Sequence, residues 1–347
     1  MNRFIGMHLF TVSVYSAIHL VVDLACAFLV FSVVLHAPEG YLCLLLYNFC
    51  AFALQMPFGV IADKLGKNHL VAGVGCLLVI AGFALSAIPA AAAAVVGIGN
   101  ALFHIGGGID VLNISKGRTS ALGVFVAPGA LGVYLGTLLG QGESASSLPI
   151  LVALAFGAGL ILSLCLVQKK QHLENAQFSL ENPGVPSLPL VAVCLLFVVC
   201  LRSFVGLTLD FPWKNAVYGA VLVGAVVCGK ALGGIASDRI GIKRCALASL
   251  GCAAVLFCFS GFPTVGIVAV LLFNMTMPIT LGALAKAFPG AKGFSFGLLS
   301  FGLFLGFLPV YFGGIPMPTA LWHFALFAAV SLLLLWTGLA LLRKAKP

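Results

Sequence analysis

Charge is scarce in this chain of 347 residues: Asp, Glu, Lys and Arg make up 8%, against 62% hydrophobic residues and a mean hydropathy of +1.18. A soluble domain carries roughly 25% charged residues because its surface must be hydrated, so such a surface is excluded. Acidic residues are rarer still, 9 against 18 Lys and Arg. The net charge of +9 does not point to nucleic acid, since the basic residues sit in small groups between apolar runs and not along one polar face. No Cys-x-x-Cys pair occurs, and the 11 cysteines fall mostly inside apolar runs, where Cys acts as a small hydrophobe and not as a metal ligand or disulfide partner. A Gly-x-x-x-x-Gly-Lys-(Ser/Thr) loop is also absent, which excludes ATP hydrolysis by this chain. So is a His-Glu-x-x-His helix, which disfavours an intramembrane metalloenzyme. No catalytic residue, resident metal or cofactor is expected.

What the chain does have is apolar segments of about 20 residues from end to end, the length that crosses a hydrocarbon core. The runs 10–35, 41–62, 69–88, 90–112, 119–139, 148–167, 189–209, 216–237, 245–261, 264–287, 293–313 and 319–342 predict an all-α membrane protein with twelve transmembrane helices. Twelve helices of about 22 residues use about 264 residues and leave about 83 for loops and tails, so no soluble domain fits. A second apolar run follows the first at once, which argues against a cleaved signal peptide. With the N-terminus inside, Arg3, Lys64, Lys67, Lys116, Arg118, Lys169, Lys170, Arg239, Lys243, Arg244, Lys286, Lys292, Arg343, Lys344 and Lys346 are all cytoplasmic, and only Lys214 is outside. The positive-inside rule therefore predicts a multi-pass protein of the plasma (inner) membrane with both termini cytoplasmic. The polar stretch 168–188, with Glu174 and Glu181, reads as a linker between a six-helix half at 1–167 and another at 189–347.

The halves repeat. Gly59-Val-Ile-Ala-Asp63-Lys64-Leu-Gly66-Lys67 returns as Gly234-Ile-Ala-Ser-Asp238-Arg239-Ile-Gly241, an offset of 175. Independently, an offset of 174 pairs Asn100 with Asn274, Arg118 with Lys292, Gly123 with Gly297 and Gly132 with Gly306. Two stretches agreeing within one residue indicate homologous halves related by an axis along the membrane normal. Physically, Gly59 and Gly66 are expected to let the second and third helices approach and turn. Asp63 is expected to face the N-terminus of the third helix, where an anion is favoured.

The two copies of Gly-x-x-x-Asp-(Lys/Arg)-x-Gly, the twelve spans, the linker and the cytoplasmic ends together resemble the major facilitator superfamily over the whole chain. Phe103-His104, the run from Gly117 and Arg118 to Gly123 and Phe125, and Pro128-Gly129-Ala-Leu-Gly132 are more distantly similar to its fosmidomycin-resistance-type efflux branch. The chain departs from the family in the fourth span, where Asn100 and His104 stand in the region of an arginine that many members carry. The resemblance implies that the first, fourth, seventh and tenth helices line a central cavity. It also implies that Asp63, with Gly59, Lys64, Gly66, Lys67 and the second copy Asp238 and Arg239, latches the halves. Asp110 is a candidate member of that latch beside Lys64 or Lys67.

A charge at the helix centre costs about 2.5 to 3.5 kcal/mol on insertion scales, so the few ionisable groups there are functional candidates. At 1.5 Å per residue, Asp23, Asn100, Arg202 and Asn274 fall about 18 to 20 Å from the cytoplasmic helix ends, His19 and His104 about 12 to 14 Å, and Lys230 about 10 Å. His19 and Asp23 share a helix face. Asp23 and Arg202, one from each half at one level, are the expected charge pair, whether functional or a packing ion pair. His104 is open between packing and a proton relay, and Lys230 between the cavity and snorkelling to the surface. The expectation is a monomeric secondary transporter of a small organic solute, anionic or zwitterionic because the cavity tends to positive charge. It would be proton-coupled and exporting, with uptake symport as the alternative, and the lipid bilayer, the solute and the proton as its partners.

Overall fold

A computed structural model describes residues 2–142, 145–168, 177–313, 318 and 320–343. Lys344 and Lys346, and residues 169–176 of the expected linker with Lys169, Lys170 and Glu174, lie outside the described residues. The chain forms α1 (Asn2–Ser32), α2 (Gly40–Leu65), α3 (Asn68–Ala84), α4 (Pro89–Ser115), α5 (Ser120–Gln141) and α6 (Leu148–Gln168). Then follow α7 (Leu188–Thr208), α8 (Ala216–Ile240), α9 (Ile242–Cys258), α10 (Pro263–Ala287), α11 (Lys292–Phe312) and α12 (Leu321–Arg343). No strand occurs among the described residues. Among the described residues nine of these helices are long and apolar enough to cross a membrane, α3 is apolar but shorter, α6 is apolar over Leu148–Leu164, and α9 has Lys243 and Arg244 in its first turn.

Two helices depart from the expected spans by more than three residues. α1 begins at Asn2 and not at residue 10. α3 ends at Ala84, four residues short of the expected boundary, and Pro89 opens α4 in its first turn, where a missing N–H costs no helix hydrogen bond. Further breaks lie inside α2, which contains a π turn at Phe49–Ala53, and α10, which is interrupted at Met275. Hydropathy is blind to both, because the apolar run continues through them.

The packing is a repeated plan. In the first half α1 lies on α5 and α6, α3 on α4 and α6, and α2 on α4; in the second α7 lies on α11 and α12, α9 on α10 and α12, and α8 on α10. The halves meet along two seams, α2 with α11 and α5 with α8, each the image of the other. In lipid the apolar effect does not drive helices together, so close backbone approach at small residues takes over. Beyond the undescribed part of the linker, the chain docks on the second half: the Ser179 amide donates to Gly290 O at 3.3 Å and Asn182 Nδ2 to Ala287 O at 2.9 Å. Lys64 of the first half lies over the Phe178 ring at 5.0 Å.

Candidate functional site

The repeated signature builds a reciprocal clasp. Asp63, in the last turn of α2, accepts the backbone amides of Gly293 (2.8 Å) and Phe294 (2.9 Å) at the start of α11. Asp238, in the last turn of α8, accepts those of Thr119 (2.8 Å) and Ser120 (2.9 Å) at the start of α5. Thr119 and Gly293 correspond at the offset of 174, so each half caps the same helix of the other. Gly59 and Gly234 allow the approach: a Cβ there would stand 2.1 Å from Gly293 O and 2.5 Å from Thr119 O. The expected partner of both Asp63 and Gly59 is thus corrected from α3 to α11. The α2–α3 turn uses Gly66 instead, at φ 63. Lys292 adds a third tie, donating to Asn113 Oδ1 at 2.7 Å.

Asp110 does not join this clasp. It accepts from Tyr15 Oη (2.6 Å) and Asn68 Nδ2 (2.9 Å), which ties α4 to α1 and α3 within one half. No salt bridge joins it to Lys64 or Lys67 among the described residues, and both lysines, like Arg239, are exposed. Burial explains the change of partner: Asp110 is 3% exposed and is served by neutral donors that stay at its depth, while the lysines reach out to solvent.

Midway along the first half, four candidate residues converge. His19 Nε2 lies 3.1 Å from Asp23 Oδ2 and 2.9 Å from His104 Nε2, and His104 Nε2 lies 3.7 Å from Asp23 Oδ1. Asn100 Nδ2 donates to Asp23 Oδ1 at 3.1 Å. The outer nitrogens of both imidazoles meet backbone carbonyls, His19 Nδ1 at 2.7 Å from Phe125 O and His104 Nδ1 at 2.8 Å from Asn100 O. Pro128, inside α5, removes an N–H and loosens the turn before it, the turn that presents Phe125 O. The expected Asp23–Arg202 pair is not formed: Asp23 is served by His19 of its own helix and by Asn100 and His104 of α4, and among the described residues no salt bridge reaches Arg202.

Arg202 instead faces a cavity of about 470 Å³ in the second half, lined among others by Lys230, Asn274, Met277, Phe211 and Lys214. It is 7% exposed, and its Nη1 has no hydrogen-bond partner. Lys230 turns into the cavity beside it, and no carboxylate lines the space among the described residues. At the mouth Lys214 is already paired with Asp210 at 3.2 Å. Asn274, whose Nδ2 donates back to Val270 O at 2.9 Å, offers its Oδ1. The cavity therefore presents two cations with no carboxylate among its lining residues, Asp23 acting on Lys230 only from outside the wall.

No family model and no curated relative matches the sequence, but its fold is shared. The crystal structure of a major facilitator superfamily transporter, FucP, in the outward conformation superposes with a TM-score of 0.66 at 13% identity, over 95% of this chain and 99% of that one. The chain has the major facilitator fold. A point variant of the E. coli fucose:proton symporter FucP is similar at 0.59 and 12% identity, over 95% and 99%. A bacterial homologue of the iron transporter ferroportin, outward-facing, is similar at 0.58 and 12%, over 96% and 98%. These three solved structures are of transporters.

Within the major facilitator fold, some residues escaped the sequence reading. Thr119 and Ser237 approach each other at the α5–α8 seam, and Tyr41 and Tyr311 stack at 3.9 Å between ring centroids and exchange hydrogen bonds at the opposite end of α2 and α11. Thr119 carried a signal, a Thr before a helix at the offset that pairs it with Gly293; the tyrosines carried none. The spacing Gly293-Phe294-Ser295-Phe296-Gly297 has the letters of a nucleophile elbow. It is not one, since that motif needs a sharp strand-to-helix turn, whereas Ser295 is fully buried in the first turn of α11 and donates to Ala291 O at 2.8 Å.

Proposed function

We propose that the chain is a secondary transporter that moves a small organic anion by alternating access, binding it at Arg202, Lys230 and Asn274 in the second half. The observation that carries this reading is the unpartnered Arg202 Nη1 on a cavity wall with a second cation and no carboxylate. A buried, unpaired charge is strongly unfavourable, and an anionic substrate removes that cost on binding. The His19–Asp23–His104 cluster is the site of the coupling cation. α5 connects the two: Gly129 abuts the cluster, where a Cβ would stand 2.4 Å from both Asp23 Oδ2 and His19 Nε2, and the next residue, Ala130, lines the cavity. The clasp at Asp63 and Asp238 closes the end expected to be cytoplasmic, and the cavity runs towards the α7–α8 turn at Phe211 and Lys214.

In this reading the halves divide at 168–188, both termini are cytoplasmic, the protein is a monomer of the inner membrane, and proton-driven efflux is the mode implied by the efflux-branch resemblance. Uptake symport is the second reading, favoured by the fucose:proton symporter that shares the fold. Binding tests the site. Organic anions screened for thermal stabilisation of the detergent-purified protein should raise its melting temperature, because a ligand specific to the folded state stabilises it. Arg202→Ala should abolish that shift, and Arg202→Lys should retain part of it, since a point charge survives while the planar fork is lost. Equal shifts in all three proteins would make Arg202 structural.

A further inference from the structure

The His19–Asp23–His104 cluster poses a valence problem. A carbonyl oxygen only accepts, so Phe125 O and Asn100 O fix a hydrogen on Nδ1 of each ring and leave each neutral Nε2 as a bare lone pair. Two lone pairs and a carboxylate oxygen then converge on one point, with all three ligand atoms within 4.8 Å of one another. A proton joins one pair of these acceptors at a time. A metal ion joins all three.

We propose that His19, Asp23 and His104 bind a divalent first-row transition-metal ion. This rests on the transport reading and puts a metal ion, in place of the proton, at the cluster. Two ligands about 2.1 Å from one ion and at right angles are about 3.0 Å apart, against about 3.4 Å for a tetrahedron. The His19 Nε2 distances to His104 Nε2 and Asp23 Oδ2 are 2.9 and 3.1 Å. His104 Nε2 approaches the other oxygen of the carboxylate, Asp23 Oδ1, at 3.7 Å, so a rotation of that carboxylate is needed to bring one oxygen against both imidazoles. Two imidazoles and a carboxylate on one octahedral face suit iron, cobalt or manganese in the divalent state.

The surroundings of the cluster have the features of a built site. Metal-bound histidines donate their other ring N–H to a carbonyl, and ligating carboxylates are themselves hydrogen-bonded; both histidines do the first, and Asp23 receives Asn100 Nδ2. Asn100 Oδ1 is buried without a partner, an additional oxygen donor beside the set. Gly129 leaves open the space that a side chain would fill directly against Asp23 Oδ2 and His19 Nε2.

The test is metal binding to full-length protein, purified in detergent, freed of metal by chelator dialysis and titrated with cobalt(II). About one equivalent should bind, with the weak visible absorption of five- or six-coordinate cobalt and not the strong bands of a tetrahedral site. His104→Gln and Asp23→Asn should abolish it, Asn100→Ala should weaken it by about 10- to 100-fold, and the exposed His36→Gln should leave it intact. Failure of the wild type to bind cobalt, manganese or iron(II), or binding that survives in His104→Gln and Asp23→Asn, overturns the inference, and the wild-type titration decides even where a variant does not fold. Anion binding at Arg202 is measured separately, so a metal-free protein that still binds its anion overturns the metal site alone.

Discussion

Two carboxylates hold the seams, and their surroundings differ. Asp63 is 8% exposed, whereas Asp238 lies in an exposed last turn, although each accepts two backbone amides at the same distances. Charge at a helix N-terminus contributes up to about 2 kcal/mol when partly buried and 0.3 to 1 kcal/mol at an exposed, screened site. An asparagine there loses the charge and turns one acceptor into a donor that faces an N–H. Asp63→Asn should therefore open the α2–α11 seam more than Asp238→Asn opens the α5–α8 seam, about a 5- to 30-fold population shift against a few-fold one. Transport rates at equal expression report the difference. Wild-type rates in both variants would remove the clasp from the mechanism.

At the scale of helices, the matched glycines decide which elements touch. Gly123 and Gly297 stand in the cross-half seams, where a Cβ would be 2.6 Å from Lys230 O and 2.2 Å from Gln55 O, while Gly132 and Gly306 lie against α1 and α7 inside each half, at 2.3 Å from Leu20 O and Cys200 O. Gly59→Ala and Gly234→Ala place a methyl against backbone, which cannot turn aside, and should destabilise the protein by about 1 to 3 kcal/mol. Gly224→Ala meets nothing within 4 Å and should stabilise α8 by about 0.5 to 1 kcal/mol. Melting in detergent checks both directions, and an unchanged melting temperature in Gly59→Ala would mean that the seam tolerates separation. These glycines were legible in the sequence as repeats, but their partners were not. A period along the chain says that Gly59 and Gly234 do the same work; it does not say that the work is done against the other half.

On the scale of the whole molecule, the axial coordinate was legible and the rotation about each axis was not. Counting residues placed Asp23, Asn100 and Arg202 at one depth, yet only packing shows that Asp23 turns to His19, His104 and Asn100 while Arg202 turns to a cavity of its own. That separation makes a coupling test sharper than a single buried ion pair would allow. If the cluster binds the driving cation and the cavity binds the anion, loss of the cation site should uncouple transport without emptying the anion site. Asp23→Asn keeps the shape of the side chain but removes the negative charge that attracts a cation, and it leaves Arg202 and Lys230 untouched. The two halves can still rock with anion alone, because the clasp residues and seams are unchanged. Vesicles carrying Asp23→Asn should therefore exchange labelled anion between equal pools at rates near wild type, yet fail to accumulate it when an ion gradient is imposed. Arg202→Ala should lose both activities, since without bound anion there is nothing to exchange. Gradient-driven accumulation that persists in Asp23→Asn would place the driving ion elsewhere than this carboxylate. Loss of exchange as well would mean that the two sites bind as one.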